Sequence, residues 1–168
     1  KAANFNGNYE CCRNNSLKHD VSVFAKVNWE AFNGFNIYAD VQYRYVNYTI
    51  NGLNDVYDYK KGGMQDIDIK KIYNFVNPKF GVSYRFCKYH KVYASASMAN
   101  REPTRRDLVN AIAEVQPKAE RLYDVECGYS VEHKWIRGSV NLYYMIYKDQ
   151  LVLTGEQNPD TYEALRQL

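Results

Sequence analysis

The chain has 168 residues, enough for about one domain, and carries 22 Lys and Arg against 19 Asp and Glu, a formal net charge of +3. Because these charges nearly balance, no strong attraction to nucleic acid or anionic lipid is indicated. The mean hydropathy is −0.60, and the sequence has no run approaching the roughly 18 apolar residues of a membrane helix, which excludes a helical membrane protein.

Aromatic residues make up 15% of the chain, with 17 Tyr, a composition that favours β-strands. Six segments alternate apolar and polar residues, as expected where successive side chains point to opposite faces of a strand. These segments are residues 21–29, 35–48, 72–86, 91–99, 122–132 and 135–153. In the second one, the side carrying Ile37 and Val41 is apolar, whereas the side carrying Asp40 and Arg44 is polar. Such a strand separates two different environments.

The connections between the predicted strands alternate in length. Residues 30–34, which include the turn dipeptide Asn33-Gly34, and the two later turns at 88–90 and 133–134 are short. Residues 49–71 and 100–121 are long connections, and both fall at the same end of the strands. Short turns at one end and long loops at the other are typical of an outer-membrane barrel. The sequence therefore predicts an all-β, antiparallel, up-and-down meander of about six strands.

Six strands are too few for a closed membrane barrel, because the smallest single-chain barrels have eight. Open sheet edges are not tolerated in lipid, where backbone groups find no other hydrogen-bond partner. The first residues contain neither an initiator Met nor a signal-peptide segment, and the last residues contain no closing strand. We therefore expect residues 1–168 to be part of a larger barrel.

Five collinear segments of the chain resemble the late barrel region of TonB-dependent outer-membrane receptors. They are NPKFGVSY (77–84), VYAS (92–95), REPTRRD (101–107), PKAERLYDVECGY (117–129) and VNLYYM followed by YKDQLV (140–145 and 147–152). The likeness extends from about residue 35 to the end of the chain. Cys127 and Ile146 depart from the family pattern, in which a small or aliphatic residue and an acidic residue are more usual. Neither departure changes the strand alternation.

The resemblance implies a segment of a 22-stranded transmembrane barrel whose lumen is filled by an N-terminal plug. Such receptors bind scarce nutrients, of the iron-siderophore, haem or cobalamin class, at extracellular loops and import them with energy from the TonB complex, which acts on the plug. The implied location is the outer membrane of a Gram-negative bacterium. The implied partners are the receptor's own plug, the TonB complex, a small nutrient ligand and outer-membrane lipid, with no nucleic acid. No cofactor and no catalytic activity are implied.

The second long loop supplies the candidate ligand-binding residues. They combine guanidinium groups, which bind carboxylate or chelate oxygens, with acidic and hydroxyl side chains. The candidates are Arg101, Glu102, Thr104, Arg105, Arg106 and Asp107. Alternatively, this nearly neutral loop pairs its charges internally. Thr104 followed by Asp107, with Leu108, Ile112 and Val115 beyond, also matches the start of a short helix packed on the rim.

Strand alternation divides the remaining side chains between the two environments. The residues expected to face lipid are Val21, Val23, Val41, Val82, Val125, Val131, Val140 and Leu142. The residues expected to face the lumen are Asp40, Arg44, Arg85, Asp124 and Glu126. The second set could contact the plug or line a transport path, or it could simply form a solvated wall held by cross-strand pairs.

Other chemistry finds little support in the sequence. The four Cys and three His show no metal-ligand spacing, and no catalytic motif is present. One disulfide between Cys11 or Cys12 and a distant Cys stays open. Two other classes of protein also remain as alternatives: a soluble β-sandwich or small barrel that acts as a binding module, and a passive porin-like channel.

Overall fold

The computed structural model describes residues 12–59, 61–111, 116–157 and 164–167. Within these ranges, six antiparallel strands form one sheet in chain order, which confirms the predicted meander. The strands are β1 (Arg13–Phe32), β2 (Phe35–Asp58), β3 (Gly63–Cys87), β4 (His90–Arg101), β5 (Glu120–Glu132) and β6 (Arg137–Lys148). Helix α1 (Arg105–Asn110) lies between β4 and β5, and β7 (Val152–Gln157) pairs with β8 (Ala164–Gln167) in a separate sheet.

The strand register defines two faces of the sheet, which we name the Val41 face and the Arg44 face after two residues of β2. All eight residues predicted to face lipid lie on the Val41 face, since the antiparallel pairs place them in the same alternating rows. Val23 is 65% exposed and Val125 is 54% exposed. Within the described residues, this apolar face packs against no second sheet, so the alternative of a β-sandwich core is not supported.

The prediction of a long loop at residues 49–71 is wrong, because β2 and β3 continue as a paired hairpin through most of this segment. Up to Tyr45, the apolar residues of β2 lie on the Val41 face. Beyond that point, Val46 and Ile50 place apolar side chains on the Arg44 face, where both are fully buried. The alternation therefore continues with its polarity inverted. From the sequence alone, this inversion was interpreted as the end of a strand.

The inverted part of the hairpin forms a small hydrophobic core with α1. Its members are buried on the Arg44 face of β2 and β3 or on the helix: Tyr48, Ile50, Ile67, Ile69, Leu108 and Val109. The predicted lipid-facing rows contribute nothing to this core. Consequently, the packed interior of the described chain lies at the long-loop end of the sheet.

Aromatic rings form a row across the short-turn end of the Val41 face. Phe32 stacks on Phe35 with ring centroids 4.7 Å apart, and Tyr84 lies 6.2 Å from Phe35. The row continues through Phe86 to His90 and from His90 to Tyr129, at centroid distances of 5.6 and 5.8 Å. Such girdles flank the apolar band of outer-membrane barrels.

The strand ends differ from the sequence prediction at two further places. The first strand begins at Arg13 rather than at residue 21, because its early residues pair with the extended part of β2. The sixth strand ends at Lys148 rather than near residue 153, since Asp149 has a φ of 55°, outside the range of a strand. The turn predicted at Asn33-Gly34 is confirmed, with Gly34 at a φ of 80°.

Cys12, Cys87 and Cys127 are free and exposed, whereas Cys11 lies outside the described residues. Among the residues that the structure describes, no helix has the length and apolarity needed to cross a membrane.

Candidate functional site

Four charged side chains meet on the Arg44 face near the long-loop end, and we call them the Glu102 cluster: Lys18, Asp20, Arg44 and Glu102. The Glu102 carboxylate accepts from Lys18 Nζ at 2.6 Å and from Arg44 Nη1 at 2.8 Å. Arg44 also donates from Nε to Asp20 at 2.9 Å. Two cations and two carboxylates thus form one continuous hydrogen-bonded network.

The strand register explains why these four residues meet. Arg44 pairs with Ser22 of β1, which places Asp20 one row further along the same face. Glu102 follows the end of β4, and β3 lies between β4 and β2 in the sheet. Its carboxylate therefore reaches across β3 to Arg44. This contact ties the start of the second long loop to the first two strands.

Burial and hydrogen bonding have opposite effects on the pKa of Glu102, whose side chain is 9% exposed. Burial alone would raise the pKa of its carboxyl group, but the hydrogen bonds from Lys18, from its own backbone and from Arg44 outweigh this effect and lower the pKa below its usual value. The hydrogen bond to Glu102 raises the pKa of Lys18. Both groups are therefore charged at neutral pH.

Tyr73 of β3 belongs to the same region and was missed in the sequence. Burial, followed by the charge of Glu102, raises the pKa of its hydroxyl group. Among the described residues, this hydroxyl group is buried without a hydrogen-bond partner. The strand alternation places Tyr73 on the Arg44 face. However, no neighbouring residue in the sequence indicated that the carboxylate of Glu102, from a distant loop, would lie close enough to affect it.

The predicted short helix is confirmed as α1, and its N-terminus carries a capping box. Asp107 N donates to Thr104 Oγ1 at 3.3 Å, and Thr104 N donates back to Asp107 Oδ2 at 3.0 Å. Leu108 is fully buried in the core beneath the helix. Ile112 and Val115, which the sequence also assigned to this helix, lie outside the described residues.

The six loop candidates do not converge on one point. Glu102 and Asp107 are buried and bonded within the protein. Arg101 pairs with Glu120 at 3.2 Å, and Arg105 donates to Asn14 Oδ1. Arg101, Thr104, Arg105 and Arg106 are exposed. The internal pairing considered as an alternative is therefore present at several of these positions.

The residues predicted to face the lumen share the Arg44 face but are dispersed along it. Asp40 lies opposite Lys79 in a shallow depression near the middle of the sheet, and Arg85 lies at the short-turn end. Asp124 and Glu126 lie on β5, opposite Ser97 and Ser95 of β4. Only Arg44 of this set belongs to the Glu102 cluster. Its opposite neighbour on β3 is the buried Phe75.

An antiparallel meander with one exposed apolar face and a row of aromatic rings at one end of that face is consistent with a segment of an outer-membrane β-barrel wall. The family model described as "TonB dependent receptor-like, beta-barrel" matches residues 2–166. The chain belongs to this family of TonB-dependent receptors. Comparisons with curated proteins and with solved structures give no match. The family consists of receptors and transporters of the Gram-negative outer membrane, and it points to nutrient transport rather than enzymatic activity.

Proposed function

We propose that this chain is a partial barrel domain, residues 1–168, of a receptor that imports a scarce nutrient across the outer membrane. The nutrient is of the iron-siderophore, haem or cobalamin class, and the energy comes from the TonB complex acting through an N-terminal plug. The observation that carries the proposal is the match to the receptor family over residues 2–166. A sheet with one apolar and one polar face supports it.

In this proposal the Val41 face contacts lipid and the Arg44 face lines the lumen. From Phe35 to Tyr45, β2 presents apolar side chains on the Val41 face, a rise of roughly 23 Å along the membrane normal for a strand tilted by about 45°. Asn47 and Thr49 follow on the same face, where the strand leaves the apolar band. Asp40, Arg44, Arg85, Asp124 and Glu126 then lie on the lumen wall.

The second long loop has two proposed roles. Glu102 and Asp107 hold the loop in place, because both are buried and bonded within the protein. The exposed side chains of Arg101, Arg105 and Arg106 contact an anionic group of the ligand, together with the hydroxyl group of Thr104. Glu102 is thus proposed as a residue that positions the ligand-binding side chains.

Uptake of radiolabelled nutrients by cells that carry the complete receptor tests this function. Haem, ferric siderophores, cobalamin and oligosaccharides are compared in cells with and without TonB. We expect accumulation of one class, lost without TonB. Uptake that continues equally without TonB indicates a passive porin-like channel and contradicts the proposal.

A variant carrying R101Q, R105Q and R106Q tests the loop assignment. We expect a higher substrate concentration for half-maximal uptake, because the cations that attract the ligand are removed. The control is R137Q, which alters an exposed Arg that pairs with Glu132 at the opposite end of the sheet. Equal uptake by the triple variant and the control would contradict the assignment.

A further inference from the structure

A row of polar side chains ends the apolar band on the last three strands of the sheet. Asn100 of β4 pairs with Arg121 of β5, and Arg121 pairs with Lys148 of β6. The next row toward the short-turn end, on the same face, consists of Met98, Tyr123 and Ile146. Two cations therefore lie side by side where the apolar surface stops.

Like charges directly opposite each other on neighbouring strands are unfavourable, and their Cβ atoms are about 4.5–5.5 Å apart. Within the part of the chain that the structure describes, neither Arg121 nor Lys148 forms a salt bridge, although Arg44, Arg101 and Arg137 all do. Both side chains are exposed. An anion placed between them would remove the repulsion.

Arg121 is held in position by two hydrogen bonds. Its Nε donates to Asn100 Oδ1 at 3.0 Å, and its Nη1 donates to Tyr123 Oη at 3.3 Å. A planar guanidinium group carries five N–H donors, so donors remain for an acceptor with several oxygen atoms, such as a phosphate. Lys148 adds a second charge beside it. Arg121 and Lys148 thus concentrate positive charge at one place on the surface, although the charges of the whole chain nearly balance.

We propose that Arg121 and Lys148 bind a phosphate group of a lipid headgroup in the outer leaflet. The inference rests on the proposed membrane orientation, in which the Val41 face contacts lipid and the long loops are extracellular. In that orientation, the two cations lie at the depth of the headgroups, with the acyl chains against the row of Met98, Tyr123 and Ile146. Basic residues at this depth attract anionic lipid.

The other half of the sheet carries no such pair. On the other three strands, the row in which the Val41 face of β2 turns polar consists of His19 on β1, Asn47 on β2 and Ile72 on β3, and it contains no Arg or Lys. The proposed site is therefore confined to β5 and β6. A lipid bound there would cover the outer side of β5, which follows the second long loop, and of its neighbour β6.

Native mass spectrometry of the full-length receptor in a neutral detergent tests the proposal. The probes are lipid A with two phosphates and the same lipid after dephosphorylation. We expect R121Q/K148Q to weaken binding of the phosphorylated lipid about tenfold to thirtyfold, with little change for the dephosphorylated one. The matched control is K88Q/K134Q, which removes two Lys from the short turns. The conservative variant R121K/K148R should retain most of the binding.

Unchanged affinity of R121Q/K148Q, or equal losses in the control, would overturn the proposal. So would equal binding of the two lipids by the unaltered receptor. Should the double variant fail to fold, as judged by its heat-modifiable mobility on a gel, K148Q alone replaces it and unchanged affinity has the same meaning. Nutrient uptake is a separate readout: a loss of TonB dependence with intact lipid binding contradicts the proposed transport function alone.

Discussion

Glu102 and Arg44 are 58 positions apart in the chain, and their carboxylate and guanidinium groups lie 2.8 Å apart. Arg44 belongs to the wall of the sheet, whereas Glu102 begins the connection that contains α1. The contact therefore fixes a loop segment to the wall. Because the loop also supplies the proposed ligand-binding Arg residues, the arrangement of these residues depends on this contact.

Replacing Glu102 with Gln should loosen the loop. The substitution preserves the size of the side chain but removes the charge that pairs with Lys18 and Arg44. Hydrogen bonds to charged groups contribute about 1.5–3 kcal/mol each, less where a partner is exposed. We expect the free energy of local opening at Arg105–Asn110 to fall by ~1–3 kcal/mol, measured by amide hydrogen exchange of the full-length receptor.

Arg101→Gln is the matched control for Glu102→Gln. It removes the neighbouring ion pair with Glu120, in which Arg101 is 66% exposed. Exposed pairs contribute about 0–1 kcal/mol, so the same amides should change little. Equal loosening by both substitutions would show that the loop does not depend on the Glu102 cluster.

Acidification should release the loop at low pH. The pKa of Glu102 is lowered in the folded protein, so its contribution to stability is fully present above the unfolded pKa of about 4.3 and is lost as the pH falls through the folded value. We expect the contribution of Glu102 to the protection of the loop amides from hydrogen exchange to be constant between pH 7 and about pH 5, and to fall at lower pH. Hydrogen exchange corrected for its intrinsic pH dependence measures this.

Glu102→Gln provides the comparison for the pH experiment. Without the carboxylate, the part of the acid-induced loss that belongs to residue 102 should disappear, because Gln does not titrate in this range. Parallel pH profiles of the variant and the unaltered receptor would assign the loss to other carboxylates.

Truncation of Leu108 should destabilise α1 through its core. The side chain is fully buried with Ile50 and Ile69 of the hairpin. Replacing a buried Leu with Ala typically costs about 2–5 kcal/mol. We expect Leu108→Ala to increase hydrogen exchange in α1 and in the adjoining ends of β2 and β3. Lys118→Ala, at an exposed position of the same connection, should leave these amides unchanged.

Val125 and Glu126 are sequence neighbours on opposite faces of β5. An Arg at the bilayer midplane costs about 2–4 kcal/mol in an outer-membrane barrel. In the proposed orientation, Val125→Arg should therefore reduce the unfolding free energy of the full-length receptor by about this amount, whereas Glu126→Arg, which that orientation directs into the lumen, should cost much less. Urea unfolding in lipid vesicles measures both. The reverse order would contradict the assignment of the two faces.

The sequence predicted the meander and its alternation, because strand period and turn dipeptides act over a few residues. It failed at the hairpin that joins β2 and β3, where Val46 reverses the polarity of the alternation. In that part of the hairpin, the Arg44 face packs with α1 in the hydrophobic core, unlike the part of β2 before Val46. Only the position of α1 shows this difference. The Glu102 cluster could not be predicted either. Its partners Lys18 and Arg44 are brought to Glu102 by the order of four strands, while the capping box of Thr104 and Asp107 was recognisable because it is local.

Lipid contact measured along β2 most directly tests the proposed orientation, in which the Val41 face contacts lipid and the Arg44 face lines the lumen. Single spin labels at residues 37–51 of the full-length receptor, with the native Cys replaced by Ser, are compared for their accessibility to oxygen in lipid and to a water-soluble nickel complex. We expect the odd-numbered positions to contact lipid up to Tyr45 and water from Asn47 onward, with the even-numbered positions shielded from lipid throughout. Accessibility without a period of two, or water contact at Val41, would contradict the account.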